Sequence, residues 1–259
     1  MSLITLLTDF GLADSYVAEV KGVVLSRAPG VTVVDVSHNV PPGNIRAGQF
    51  LLSRAWHRFP AGSVHLVVVD PGVGTVRRAL AARAGGHSFV APDNGLLSVL
   101  PEDARFVALP VLRDAAPTFH ARDVFAPAAA RLAGGACLQD LGSPVTDPQR
   151  SPLPTPRLDG SAVVGEVIYV DRFGNLISNV PRELIRPGAH VRVGKTAAGP
   201  VQRTFGDAGR GRLLAYVGSG GTLEIALRDG SAARLLGVEI GMEVRAESGG
   251  EAVKGGKGR

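Results

Sequence analysis

One cysteine, one tryptophan, two methionines and four lysines are all that 259 residues hold of these types. The lone thiol, Cys137, can form neither an internal disulfide nor a multi-cysteine zinc site, and is expected to be an inert packed residue. No HExxH occurs and the six histidines are dispersed, so neither a metal centre nor a bound cofactor is expected. No GxGxxG opens a helix after the first strand and no GxxxxGK precedes Ser or Thr, so the dinucleotide and P-loop readings lack their phosphate cradles. The GxSxG nucleophile elbow is missing too. No apolar run approaches the roughly 18 to 20 residues that span a bilayer, and the first residues lack a signal-peptide pattern. The expectation is therefore no membrane segment and a cytoplasmic location. With lysine scarce, arginine carries the net charge of +5. It is scattered, without a basic stripe interleaved with aromatics, so nucleic acid is not an expected partner.

Strand and helix signals alternate in the first half: "SLITLLTDF", then the amphipathic "DSYVAEVKGVVLSRA", "VTVVDVS", "NIRAGQFLLSRAWHRF", "SVHLVVVD", the hairpin pair "LAARAGG" and "HSFVAPDN", and the helix "FAPAAARLAGG". This pattern predicts an α/β domain with a central, mostly parallel sheet over residues 1–142. Five prolines in "LGSPVTDPQRSPLPTPRLD" predict a linker over 143–160. Short β-rich segments separated by glycine turns follow, predicting a small antiparallel β-barrel over 161–248. The glycine-rich remainder, 249–259, has no apolar anchor and is expected to be a disordered tail.

Chemistry must then come from charged groups at strand ends. The run Val67–Val69 reads as a strand buried on both faces, and in open α/β sheets ligands sit beyond the carboxyl ends of such strands. Asp70 stands there, followed by Gly72 and Gly74, which let backbone approach a ligand, and by Arg77 and Arg78, which can swing back toward it. Asp9 in "TDFG", Asp93 and Asn94 in "APDNG", and Asp171 in "DRFGN" hold similar places, and His120, Arg122 and Asp123 crowd "TFHARD". A cap or turn role would explain any one of them alone. Together they point to a site.

Seven ordered segments carry a closer likeness: "LLTDFGLADSYVAEVKG", "VTVVDVSHNVPPGNIRAGQFLL", "VVVDPGVGTVRR", "FVAPDNGLLS", "TFHARDVFAPAAA", "YVDRFGNLISN" and "GSGGTLEIALRDGSAA". Through them the chain resembles the S-adenosyl-L-methionine hydroxide adenosyltransferases, relatives of the fluorinase and chlorinase enzymes. The resemblance implies an N-terminal α/β domain with a C-terminal β-barrel, and a homotrimer whose sites lie between subunits. It also implies hydrolysis of S-adenosyl-L-methionine to adenosine and methionine, with Asp70, Arg77 and His120 as the catalytic group. Asp9 matches the position that binds the ribose hydroxyls, Ser15, Asp171 and Ser219 the methionine end, and Phe173 and Asn175 the adenine. Gly43 departs from the family pattern, where an aromatic is usual, as do Ala121 for glycine and Arg228 for asparagine.

Two rival readings keep the same pocket. A sensor that binds S-adenosyl-L-methionine or adenosine without reacting would have no use for Asp70, Arg77 and His120 together. A halide adenosyltransferase would bring an anion against the Asp70 carboxylate, at a cost of several kcal/mol at low effective dielectric.

Overall fold

The computed structural model describes residues 2–248; the expected tail over 249–259 lies outside the described residues. The chain divides into two compact units, meeting in sequence at Leu153 and Pro154.

The first unit is built on strands β1 (Leu3–Thr8), β2 (Thr32–Ser37), β3 (Val64–Val68), β4 (Ala79–Ala84), β5 (His87–Pro92), β6 (Arg105–Leu109) and β7 (Ser143–Val145), in the order β2-β1-β3-β5-β4-β6-β7. The pairs β1–β2, β1–β3 and β3–β5 are parallel, whereas β4–β5, β4–β6 and β6–β7 are antiparallel. The sheet is therefore mixed, which corrects the expectation of a mostly parallel one. The two-glycine turn at Gly85 and Gly86 reverses the chain where a crossover helix would have kept it parallel.

Helix α1 (Tyr16–Arg27) buries Val17, Val20 and Val24 at helical spacing. It packs with α3 (Ala126–Ala133) on the face that β1 and β3 line with Ile4, Leu6, Val64, Leu66 and Val68. The opposite face takes α2 (Ile45–Ala55), whose N-cap Asn44 accepts from the Ala47 amide at 3.0 Å and whose Gly48 lies against Leu96 and Val69. Every residue of β3 is buried, as a strand covered on both faces requires. Its alternate face holds a polar string: Thr5 Oγ1 to His65 Nδ1 at 2.7 Å and His65 Nε2 to His87 Nδ1 at 3.1 Å, with the His65 ring stacked on Phe89. Burial, then the neighbouring His87, pushes the His65 imidazole down to about 3.

The proline-rich segment begins as the edge strand β7, and its later residues are tied to the same unit. The Gln149 amide donates to Asp93, the Ser151 amide to Ser98, and Gln49 Nε2 to the Ser151 carbonyl. Cys137 is exposed, not packed, and opens a short 3-10 turn.

The second unit is a closed barrel formed by β8 (Arg157–Asp159), β9 (Ala162–Val170), β10 (Leu176–Pro181), β11 (His190–Val193), β12 (Thr196–Gln202), β13 (Leu213–Val217), β14 (Thr222–Leu227) and β15 (Glu243–Glu247). Long β9 pairs with β15 through its first half and with β10 through its second, which closes the ring. The pairings are antiparallel except β12–β13, which is parallel, so the barrel is not wholly antiparallel. Val167, Leu176, Val180, Leu223, Ile225 and Val244 fill its interior. A short helix, α4 (Ala232–Leu236), follows β14 and is capped by Ser231. No helix among the described residues is long and apolar enough to cross a membrane.

Candidate active site

Asp70 stands just past the end of β3, after the buried Val69, and the turn after it folds back on itself. The Val73 amide reaches the Asp70 carbonyl at 3.3 Å, and the Thr75 amide and hydroxyl both reach the Gly72 carbonyl. Gly74, at φ +78°, occupies the left-handed region, and a Cβ there would lie 2.8 Å from the Pro117 carbonyl oxygen. Only glycine lets this turn approach the segment leading into His120 so closely.

That approach completes a three-residue group. Arg77 Nε donates to Asp70 Oδ1 at 2.9 Å and Nη2 donates to Oδ2, a bidentate fork, while Nη2 also meets His120 Nδ1 at 3.1 Å. The Asp70 and Arg77 side chains are 5% and 9% exposed, and the guanidinium lies over the Phe125 ring at 5.3 Å. Arginine only donates, so His120 Nδ1 must accept and the neutral ring carries its proton on Nε2. Burial, with the Arg77 charge beside it, holds the His120 imidazole below its ordinary value, against the opposite pull of Asp70 and Asp123. His120 leads into a π-helical turn, Ala121–Phe125, that runs on into α3. Ala121 is buried in that turn.

Asp9 follows β1, the parallel neighbour of β3. Its Oδ2 accepts from the Gly43 amide at 2.8 Å, while Oδ1 has no protein donor among the described residues. Gly43 sits at φ +70°, a Cβ on it would lie 3.6 Å from Pro71, and an aromatic residue there would be strained on this backbone. Phe10, Tyr16 and Phe119 pack edge to face, with centroids 5.3 to 6.1 Å apart, joining the chain after Asp9 to the residue before His120. Ser15 precedes α1 and donates its hydroxyl to Glu19 Oε1 at 2.7 Å. Asp93 and Asn94 are occupied otherwise: Asp93 binds Arg78 and the Gln149 amide, and Asn94 binds the Val69 carbonyl.

In the second unit Asp171, Phe173 and Asn175 share the β9–β10 turn. Asp171 Oδ1 accepts from the Phe173 and Asn175 amides and Oδ2 from the Asn175 side chain, each at 2.9 Å, so the carboxylate shapes the turn that displays Phe173. Phe173 is 76% exposed, and Ser219 is exposed in the β13–β14 turn. Sequence reasoning missed a buried pair beside that turn: Tyr216 donates to Glu224 at 2.7 Å, and the Glu224 carboxylate lies against Gly218. Burial, the Glu224 bond and the charges of Glu224 and Asp171 raise the Tyr216 phenol. The available signal was "TLEIAL", where alternation turns Glu224 away from the barrel interior that Leu223 and Ile225 fill. Arg228 turns to the Gly206 and Ala208 carbonyls.

The family model described as the SAM hydroxide adenosyltransferase N-terminal domain matches residues 4–142, and the one for the C-terminal domain matches residues 165–245. An (R)-S-adenosyl-L-methionine hydrolase of Thermus thermophilus is 44% identical over 92% of this chain and 97% of its own. Another of that name, from Salinispora tropica, is 43% identical over 95% and 98%. The crystal structure of an uncharacterized conserved protein from Thermotoga maritima superposes with a TM-score of 0.87 at 36% identity, covering 94% of this chain and 99% of that one. The chain belongs to the SAM hydroxide adenosyltransferase family.

Proposed function

We propose that the protein hydrolyses S-adenosyl-L-methionine to adenosine and L-methionine. A water or hydroxide oxygen bonds to ribose C5′ as the C5′–S bond breaks, its electron pair stays on sulfur, and methionine leaves neutral. The observation that carries the reading is the buried Asp70–Arg77–His120 group at the strand ends.

Each member has a task set by its bonds. The positive guanidinium of Arg77 favours hydroxide over water beside it. Asp70 is forked by Arg77, yet a carboxylate has about four acceptor positions, so lone pairs remain to orient the water and take its proton. His120 spends Nδ1 on Arg77 and presents Nε2–H to the attacking oxygen. Holding nucleophile and C5′ in line removes much of the entropic barrier.

The substrate's other ends fit the remaining residues. Asp9, with Oδ1 available, accepts from the ribose hydroxyls, exposed Phe173 stacks on the adenine, and Asn175 reads its edge. Asp171, Ser15 and Ser219 take the methionine end. The reading includes a homotrimer in which the two groups of residues come from different subunits. To test the function, the purified protein is incubated with S-adenosyl-L-methionine in chloride-containing and chloride-free buffers and the nucleoside identified by mass spectrometry. Adenosine in both supports the proposal; a chlorinated nucleoside points to halide transfer, and no turnover points to a binder.

A further inference from the structure

Arg122 takes no part in the reaction proposed above, yet its side chain ties together three segments around His120. Nε and Nη2 fork onto Asp123 at 2.7 and 3.0 Å, and Nη1 reaches Glu19 Oε2 on α1 at 2.8 Å. Glu19 is held in turn by Ser15 at 2.7 Å, and Asp123 accepts from the Ala116 amide at 2.9 Å. The guanidinium also covers the Phe119 ring at 4.9 Å, and Phe119 is bonded to His120 through the backbone. One residue thus joins the first turn of α1, the loop before His120 and the π-helical turn after it.

Stability does not explain the network. Arg122, Glu19 and Asp123 are 33%, 35% and 21% exposed, and ion pairs so exposed contribute little to folding. A π-helical turn carries one more residue than an α-turn and is intrinsically less favourable. Relaxed to α geometry, it would rotate its neighbours by about 100° per residue and carry the imidazole off Arg77. The charge pattern points the same way. Asp70 and Arg77 act on the His120 charge from the turn after β3 and Asp123 from its own turn; Arg122 is the countercharge of Asp123, as Arg77 is of Asp70.

We propose that Arg122 is a positioning residue for His120: clamped between Asp123 and Glu19, it holds the π-helical turn against α1 so that Nδ1 of the imidazole faces Arg77. The inference rests on the proposed hydrolysis for its kinetic readout alone.

The test follows the His120 ring by NMR in protein carrying isotope-labelled histidine, its signal assigned by loss in His120→Asn, alongside steady-state kinetics. Arg122→Gln leaves Asp123 without its countercharge, so the His120 titration midpoint moves to higher pH. With the turn loosened, kcat falls on the order of 10- to 100-fold while KM stays within about twofold. Asp123→Asn moves the midpoint the opposite way. Arg122→Lys restores the charge without the fork, returning the midpoint and only part of kcat. Midpoints unmoved in both Arg122→Gln and Asp123→Asn, or kcat unchanged in Arg122→Gln, overturn the inference. If the parent protein forms no adenosine, the hydrolysis reading fails, while the ring-nitrogen shifts of His120, which lose the mark of an accepting Nδ1 in Arg122→Gln if the clamp holds and keep it if it does not, still decide the inference.

Discussion

Replacing Asp70 by asparagine keeps the shape of the side chain and removes its charge. The parent carboxylate takes Arg77 Nε on one oxygen and Nη2 on the other, with the two side chains 5% and 9% exposed. Asparagine offers one carbonyl oxygen and one amino group, so one of Arg77's donors faces another donor in a site with little water to relieve it. Leaving one partner of a buried pair uncompensated typically costs about 3 to 5 kcal/mol of stability, and a drop of that size in chemical denaturation is expected. Turnover suffers separately, because the amide can neither take the water's proton nor balance Arg77. The expected loss is about 10² to 10⁴-fold, or roughly 2.7 to 5.5 kcal/mol of barrier. Methionine in place of Arg77 separates the two effects. Asp70→Asn/Arg77→Met buries no lone cation and recovers stability, but stays inactive. The assay measures adenosine release against time by chromatography, on protein shown to be folded. An Asp70→Asn rate within about threefold of the parent, under 1 kcal/mol of barrier, refutes the assignment.

Three further outcomes follow from the same geometry. Asp9→Ala removes the acceptor aimed at the ribose and raises KM by about tenfold or more with a smaller effect on kcat, so an unchanged KM would place the ribose elsewhere. Because the folded state holds His65 at about 3, against 6.5 ordinarily, the unfolded chain binds the proton more readily. Stability is therefore undiminished above the ordinary value and declines as pH falls from there toward about 3. In His65→Phe that acid slope is shallower, and equal slopes in parent and variant denaturation series would show that another group sets it. Inactive Asp70→Ala and inactive Asp171→Ala proteins, refolded together, regain part of the activity if the trimer draws each site from two chains. No recovery in verified mixed trimers contradicts that arrangement.

The residues explain which parts of this were legible beforehand. Asp70 could be found because Val67–Val69 is apolar without interruption, which marks a strand end where charge is unexpected. That Arg77 or Arg78 could swing back to it was legible as well; which of them does was not, since Arg78 turns instead to Asp93 and Asp147. His120 stood out by crowding with Arg122 and Asp123 in one short loop, and only its catalytic role came from the resemblance. The geometry that aims it is a π-helical turn fixed by contacts with α1, which local propensity does not encode. Strand β12 carries Gly199 and Pro200, which break the alternating pattern in sequence, while the pairing with β11 takes up the irregularity as a register shift beside Gly199. The His65–His87 string was missed as well: within "VHLVVV" a histidine reads as an interruption, and its partners come from β1 and β5.

The central claim is that water, held by Asp70, Arg77 and His120, attacks ribose C5′. Turnover in heavy-oxygen water tests it directly, with mass spectrometry of the nucleoside and of the methionine. The account predicts adenosine carrying one heavy oxygen, at the 5′ position, together with unlabelled methionine in equal amount. Adenosine without the label, or label in the methionine, would contradict it.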